Sequence, residues 1–367
     1  MAKSAVSDSL ALFDDAAKSY DAVLVVSFGG PEGPEDVLPF LENVLRGVPV
    51  KPETLQRIAE RYQRFGGVSP INAHTRNFIE ALRAELDTHG LSLPIYWGNR
   101  NWHPMLADTF AQMAADGIER VIAYVSSTFS SYSGCRKYRE DLHAAAASVA
   151  QAPSVDKLRM PYNHPGFISA VADRLRERLE QIPTARAGEA RILFTAHSLP
   201  LAMAQHASYE AQLAESCRLV AETLGLADWS LVYQSNNASY GQAWLEPDIS
   251  DALVSVHEGG ATDVVVVPIG FVCDHMEVVL DLDVEAAATA ERLGLNMLRA
   301  GTVGTHPAYV GMVRELIVER MSAKPTRQAL GTRGPSHDFC PPDCCLSGRP
   351  GPVKPALCGA GATASRA

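Results

Sequence analysis

Glu277, Asp281 and Glu285 recur every fourth residue in GFVCDHMEVVLDLDVEA, the stretch from Gly270 to Ala286. On a helix that spacing sets three carboxylates on one face, where each like-charged pair costs roughly a few tenths of a kcal/mol. A solvated acidic face is the ordinary use of such a triplet. The surroundings point to another use, because the row begins beside His275 at the end of an apolar strand, among Val278, Val279, Leu280 and Leu282. A row of carboxylates there hands cations or protons inward. Divalent iron accepts imidazole nitrogen and carboxylate oxygen, so a site mixing the two suits it without selecting it uniquely.

A second apolar strand, RILFTAHSLP, terminates on His197. A lone histidine at a strand end is ordinarily a hydrogen-bonded residue and nothing more. Two strand ends offering His197 and Glu277 to one rim change the reading, since a neutral imidazole takes a proton near physiological pH and a nearby carboxylate raises its basicity. A third group, Cys340-x3-Cys344-Cys345, offers three thiolates within six residues. Adjacent cysteines make strained disulfides, so pairing Cys344 with Cys345 is a poor structural device. Three thiolates need a fourth ligand to hold zinc or an iron–sulfur cluster, and the alternative is a loose tail with free thiols.

Strands must position these residues. Ala22 to Ser27, Pro94 to Gly98, Val121 to Ser126, Arg191 to Ala196, Ser230 to Gln234 and Asp263 to Ile269 are short apolar runs alternating with segments of helical period. Strands that are apolar throughout and separated by helices predict parallel sheets covered on both faces. The fold class expected is α/β, with two doubly wound, Rossmann-like domains at 20–160 and 161–322. A disordered tail is expected over 1–19, and a Cys-containing extension over 323–367 that is ordered only if something ties it down. In open parallel sheets ligands bind beyond the carboxyl ends of the strands. This singles out Phe28 to Pro31, Asn99 to His103, Ser127 to Tyr138, His197 to Pro200, Ser235 to Asn237, and Phe271 to Glu277, with Asp274 as the expected N-cap of the acidic helix.

The 367 residues carry a formal charge of −10, which disfavours a nucleic-acid backbone or an anionic membrane surface as partner. No run reaches the length of a membrane span and no targeting segment is legible, so the cytoplasm is expected. A dinucleotide site is disfavoured because FGGPEG lacks the GxGxxG spacing.

Over residues 20 to 322 the chain resembles the ferrochelatase family, through VLVVSFGGP, ERYQRFGGVSPIN, YWGNRNWHP, TAHSLP and VPIGFVCDHMEVVLDLDVE. AHSLP and DHMEV are specific when found together. The resemblance implies two pseudo-twofold halves with a porphyrin cleft between them. It places the active-site histidine on His197, the opposing carboxylate on Glu277 and the acidic ladder on Asp281 and Glu285. Porphyrin-facing positions fall on Phe28, Arg61, Tyr62, Ser69 and Tyr138. The wording is most similar to the actinobacterial branch, which implies insertion of ferrous iron into coproporphyrin III by a monomer without stable membrane insertion. Phe28 stands where some relatives carry an iron-ligating tyrosine, leaving Tyr138 as the candidate axial ligand, and the segment around Gly66 and Gly67 lacks the apolar lip of membrane-associated relatives. Some ferrochelatases carry a [2Fe-2S] cluster on such an extension with one further cysteine from the body, which implies Cys135, Cys340, Cys344 and Cys345 as ligands here. The readings left open beside this one are a protoporphyrin IX ferrochelatase, a cobalt or nickel chelatase, and a non-catalytic two-lobed metal or haem binder.

Overall fold

The computed structural model describes residues 12–236 and 241–360. Among these residues, eight strands form two parallel sheets of four. In the first, β1 (Ala22–Ser27), β2 (Ile95–Asn99), β3 (Arg120–Val125) and β4 (Ser154–Lys157) lie in the order β2-β1-β3-β4. In the second, β5 (Arg191–His197), β6 (Trp229–Gln234), β7 (Asp263–Val267) and β8 (Asn296–Arg299) repeat it as β6-β5-β7-β8. The chain order reverses between β1 and β3 in one sheet and between β5 and β7 in the other. Crevices open at such switch points, so the loops after these four strands are the places for a site.

Strand periodicity of two sorts the core into layers. Val23 and Val25 of β1, Ile192 and Phe194 of β5, and Val265 and Val267 of β7 all enter one shared cluster. Their neighbours turn the other way: Ala22, Leu24 and Val26 line the outer layer of the first half, and Leu193, Val264 and Val266 that of the second. The interior is therefore continuous across the expected boundary at 160. Helix Pro307–Met321 packs on both Pro165–Leu179 and Ile71–Thr88, and its Tyr309 hydroxyl lies 2.8 Å from that of Tyr124 on β3. β4 and β8 escape a search for apolar runs because each is a four-residue edge strand, SVDK and NMLR, partly open to solvent.

The expected disorder over 1–19 does not extend to the described part of that segment. The Leu12 carbonyl accepts from the amides of Asp338 and Phe339 at 2.9 and 3.0 Å, and the Asp14 amide donates to Asp338 at 3.0 Å. Lys18 pairs with Asp156 at 3.0 Å. These partners lie far away in sequence, which is why local composition did not reveal them. Among the described residues no helix is long and apolar enough to cross a membrane.

Candidate active site and thiol cluster

β5 ends on His197 and β7 runs into Pro268-Ile269-Gly270. A Cβ on Gly270 would lie 2.6 Å from the Ala196 side chain, so only glycine lets the two strand ends close up here. The approach brings Glu277 to His197, with Nε2 to Oε2 at 3.7 Å. His197 Nδ1 is hydrogen-bonded to the Ser198 carbonyl. A carbonyl only accepts, so Nδ1 carries the proton and the neutral ring keeps its lone pair on Nε2, the atom that faces Glu277.

The acidic helix starts one residue later than expected. Its N-cap is His275, whose Nδ1 accepts from the Glu277 amide at 3.2 Å. Asp274 is unavailable because Arg299 Nη1 holds both its oxygens at 3.1 and 3.2 Å. His275 stacks edge-on against Phe271 with centroids 5.0 Å apart, and burial lowers its pKa. A neutral ring suits its role as acceptor.

From Val279 to Ala286 the helix widens into a π-helix, a rare form concentrated at functional sites. Glu277, Asp281 and Glu285 still follow one another, but their settings differ. Glu277 and Glu285 are exposed, whereas Asp281 accepts from the Ser235 hydroxyl and lies 3.4 Å from Gln234 Nε2. Burial pushes the Asp281 carboxyl up to about 6, helped by the charges of Glu277 and Glu285. Gln234 ends β6 and Ser235 follows it. The sequence reading gave neither a role, although Ser235 stood in a strand-end segment; Asn237 of that segment lies outside the described residues.

The first half supplies an aromatic wall. Phe28, immediately after β1, meets Phe40 at 6.2 Å between centroids; Phe40 meets Tyr62 at 5.8 Å and Trp102 at 6.4 Å. Burial raises the Tyr62 pKa and the charge of Glu277 raises it further. Arg61 on the same helix is exposed. Ser69 is buried, its amide donating to Pro31 at 2.8 Å, and a Cβ on Gly30 would collide with it at 2.7 Å.

Tyr138 stands one layer behind this wall. It is 4% exposed within the outer core of the first half, and the Arg100 guanidinium covers its ring at 4.4 Å. Arg100 also lies 5.4 Å from the ring of Phe28 and is anchored by Asp141 at 2.6 Å. Covered in this way, Tyr138 is poorly placed to be the axial ligand. The half-buried tyrosine of this loop is Tyr132, whose hydroxyl donates to Glu140 at 3.1 Å. The repeated tyrosines of SSYSGCRKY were the signal for it.

The four cysteines singled out by sequence converge. Cys135 lies in the turn Tyr132–Arg136, which Ser131 caps by accepting from the Gly134 amide at 2.8 Å. It packs in one cluster with Cys340 and Met160, against Cys344, and its thiol interacts with that of Cys345. Cys344 completes the ring, within 4.8 Å of Cys340 and 3.2 Å from Cys345. Left-handed backbone at Cys345, with φ 59°, accompanies the turning of adjacent thiols toward one place. The thiols of Cys135 and Cys344 hold Cys340 well below the usual thiol range, assisted by Lys157. Lys157 is 2% exposed, and a buried cation offsets the charge that gathered thiolates carry. A ring of four sulfurs beside a buried lysine fits an iron–sulfur cluster. Cys358 points away, to the Val155 carbonyl at 3.4 Å.

The extension is tied down by the residues that follow Cys135. Arg136 donates to the carbonyls of Pro342 and Lys354 at 3.0 and 2.8 Å, and Arg139 to that of Leu357 at 2.6 Å. On its other side the Cys345 amide donates to the His206 carbonyl at 3.0 Å, nine residues beyond His197.

Comparison with known proteins converges on one family. Residues 20–321 match the family model described as Ferrochelatase. A protein of Rhodopirellula baltica named ferrochelatase is 52% identical over 89% of this chain and 93% of its own length. A coproporphyrin III ferrochelatase of Frankia alni is 47% identical over 92% of this chain and 89% of its own, and one of Streptomyces coelicolor is 44% identical over 92% and 96%. Among solved structures, SirB from Bacillus subtilis with Fe3+ shares the fold, with a TM-score of 0.52, 13% identity and coverage of 81% of this chain and 96% of that one. With a histidine and a carboxylate paired at two switch-point strand ends, and a family match running from just before β1 to the end of helix Pro307–Met321, the chain belongs to the ferrochelatase family.

Proposed function

We propose that this enzyme inserts ferrous iron into coproporphyrin III, with His197 and Glu277 acting on metal and pyrrole protons. The observation carrying the chemistry is the facing pair: His197 Nε2, unprotonated in the neutral ring, 3.7 Å from Glu277 Oε2. Insertion needs two pyrrole protons removed and the metal stripped of water. His197 Nε2 accepts a proton and the Glu277 carboxylate draws the cation. Asp281, with a pKa of about 6, passes charge on toward exposed Glu285 because it gains and loses a proton near neutrality. The wall of Phe28, Tyr62 and their neighbours suits the flat, apolar face of a macrocycle, while Arg61 and Ser69 suit its propionates.

Coproporphyrin is favoured over protoporphyrin by the activity for which the 44–47% identical relatives are named, each aligned over most of its length. The name of the 52% identical relative leaves protoporphyrin IX as the second reading. Anaerobic incubation with ferrous iron and each porphyrin at matched concentration, followed by absorption, separates the two. Faster metallation of coproporphyrin III is expected, and the reverse preference overturns the substrate assignment.

The reading includes a [2Fe-2S] cluster on Cys135, Cys340, Cys344 and Cys345, separate from the iron that is substrate. Bound there, it would link the extension to the first half of the molecule. It also takes the working unit as a monomer in the cytoplasm, a reducing compartment that suits cysteines not paired in disulfides.

A further inference from the structure

Five ligand-capable side chains, not four, meet at the thiol corner. His337, which the sequence reading passed over, sets Nε2 4.0 Å from Cys344 Sγ. Its nitrogen and the sulfurs of Cys340 and Cys344 all lie within 4.8 Å of one another. On one tetrahedral metal, with bonds of about 2.1 Å to imidazole and 2.3 Å to thiolate, nitrogen and sulfur sit about 3.6 Å apart. The observed spacing is close to that of two ligands on one ion.

We propose that His337 is a stand-by ligand for the cluster, able to take the iron position of Cys344. The inference rests on the cluster reading above. Three features support the choice of Cys344. First, Cys135, Cys340 and Cys345 are 2%, 3% and 1% exposed, while Cys344 is only partly buried and so the easiest of the four to lose. Second, the next residue, Asp338, anchors the backbone of His337: its carboxylate takes Arg327 at 2.8 Å and its amide bonds Leu12. Third, a cavity of about 450 Å³ borders His337, Cys344 and Cys345, with His206, Arg333 and Ser336 completing that side. The imidazole thus has room for the small swing that ligation requires. Among the described residues, no histidine or carboxylate is grouped with Cys135 as His337 is with Cys340 and Cys344.

The test is anaerobic reconstitution of the full chain with ferrous iron and sulfide, comparing wild type, Cys344→Ala, Cys135→Ala and Cys344→Ala/His337→Ala. Iron and sulfide per chain, the visible spectrum, the reduction potential and nitrogen hyperfine coupling in the reduced cluster are the readouts. Cys344→Ala should keep wild-type iron and sulfide, gain nitrogen coupling and shift its potential upward, as imidazole ligation does elsewhere. Cys135→Ala and the double variant should be colourless. A brown wild type with a colourless, folded Cys344→Ala overturns the inference, as does a coloured Cys344→Ala without nitrogen coupling or a coloured double variant. If Cys344→Ala does not fold, Cys344→Ala/His337→Cys decides: a cluster there shows that position 337 reaches the iron, and none overturns it. A colourless wild type removes the cluster reading itself, and this inference with it.

Discussion

The cleft and the thiol corner are both gatherings of metal-ligating side chains, and they are built on opposite rules. In the cleft the side chains of His197 and Glu277 are 31% and 53% exposed, and the groups able to ligate are one imidazole and a row of carboxylates. At the corner the sulfurs of Cys135, Cys340 and Cys345 are buried next to a buried lysine. Exposed oxygen and nitrogen ligands exchange a cation readily, whereas gathered thiolates retain one. Under the function proposed above, the contrast would separate iron in transit from iron in residence. The two regions are nevertheless linked along the chain, because the corner bonds the His206 carbonyl only nine residues after His197.

The largest effect should come from the transit site. His197→Ala removes the unprotonated Nε2 and should lower kcat about a thousandfold, within the range for a positioned general base. Porphyrin binding, followed by fluorescence, should change little, and the visible spectrum of the corner should not change. Turnover near that of wild type breaks the assignment. Glu277→Gln keeps shape and removes charge, and should lower turnover about a hundredfold. A loss of corner absorbance in either variant shows that the regions are coupled.

The two sites were not equally legible. His197 and Glu277 stood out because each ends or follows an apolar strand, and the topology of parallel sheets brings strand ends to one rim. The N-cap was misjudged since Asp274 is the better capping residue by type; only Arg299, distant in sequence, takes its carboxylate away. The corner was legible in its cysteines and illegible in its fifth member. His337 sits in a segment without period, and what aims it is a set of bonds between Asp338, Arg327 and the N-terminal segment. Tyr138 shows a limit of motif matching, for a tyrosine on the right loop can still be covered by an arginine.

A smaller effect should come from loosening the residence site. Arg139 is 1% exposed and its Nε holds the Leu357 carbonyl at 2.6 Å. Arg139→Ala should cost about 2 kcal/mol in denaturant unfolding, the range for a buried hydrogen bond from a charged donor. Well below the melting temperature, turnover should stay within about twofold of wild type if the bond to His206 does not transmit the disturbance. A fall as large as that of Glu277→Gln means the extension helps to position His197.

The smallest effect belongs to Asp281, and its sign distinguishes the cleft from the corner. Burial raises its pKa to about 6 from 3.8, so the native carboxyl holds its proton more tightly than the unfolded one. A group of this kind contributes its stability fully below the unfolded pKa and loses it as pH rises through the folded one. Asp281→Asn keeps an acceptor for Ser235 and cannot ionise. It should match wild type near pH 4 and exceed it above pH 6, by about 1 kcal/mol once screening at a partly open cleft is allowed for. Denaturant midpoints measured from pH 4 to 8 check this. A variant destabilised at pH 8 would mean that the ionised carboxylate holds the π-helix in place, and the cleft would then be as permanent a structure as the corner. A gain confined to high pH instead fits a carboxylate kept at some expense of stability, because the transit site needs its charge.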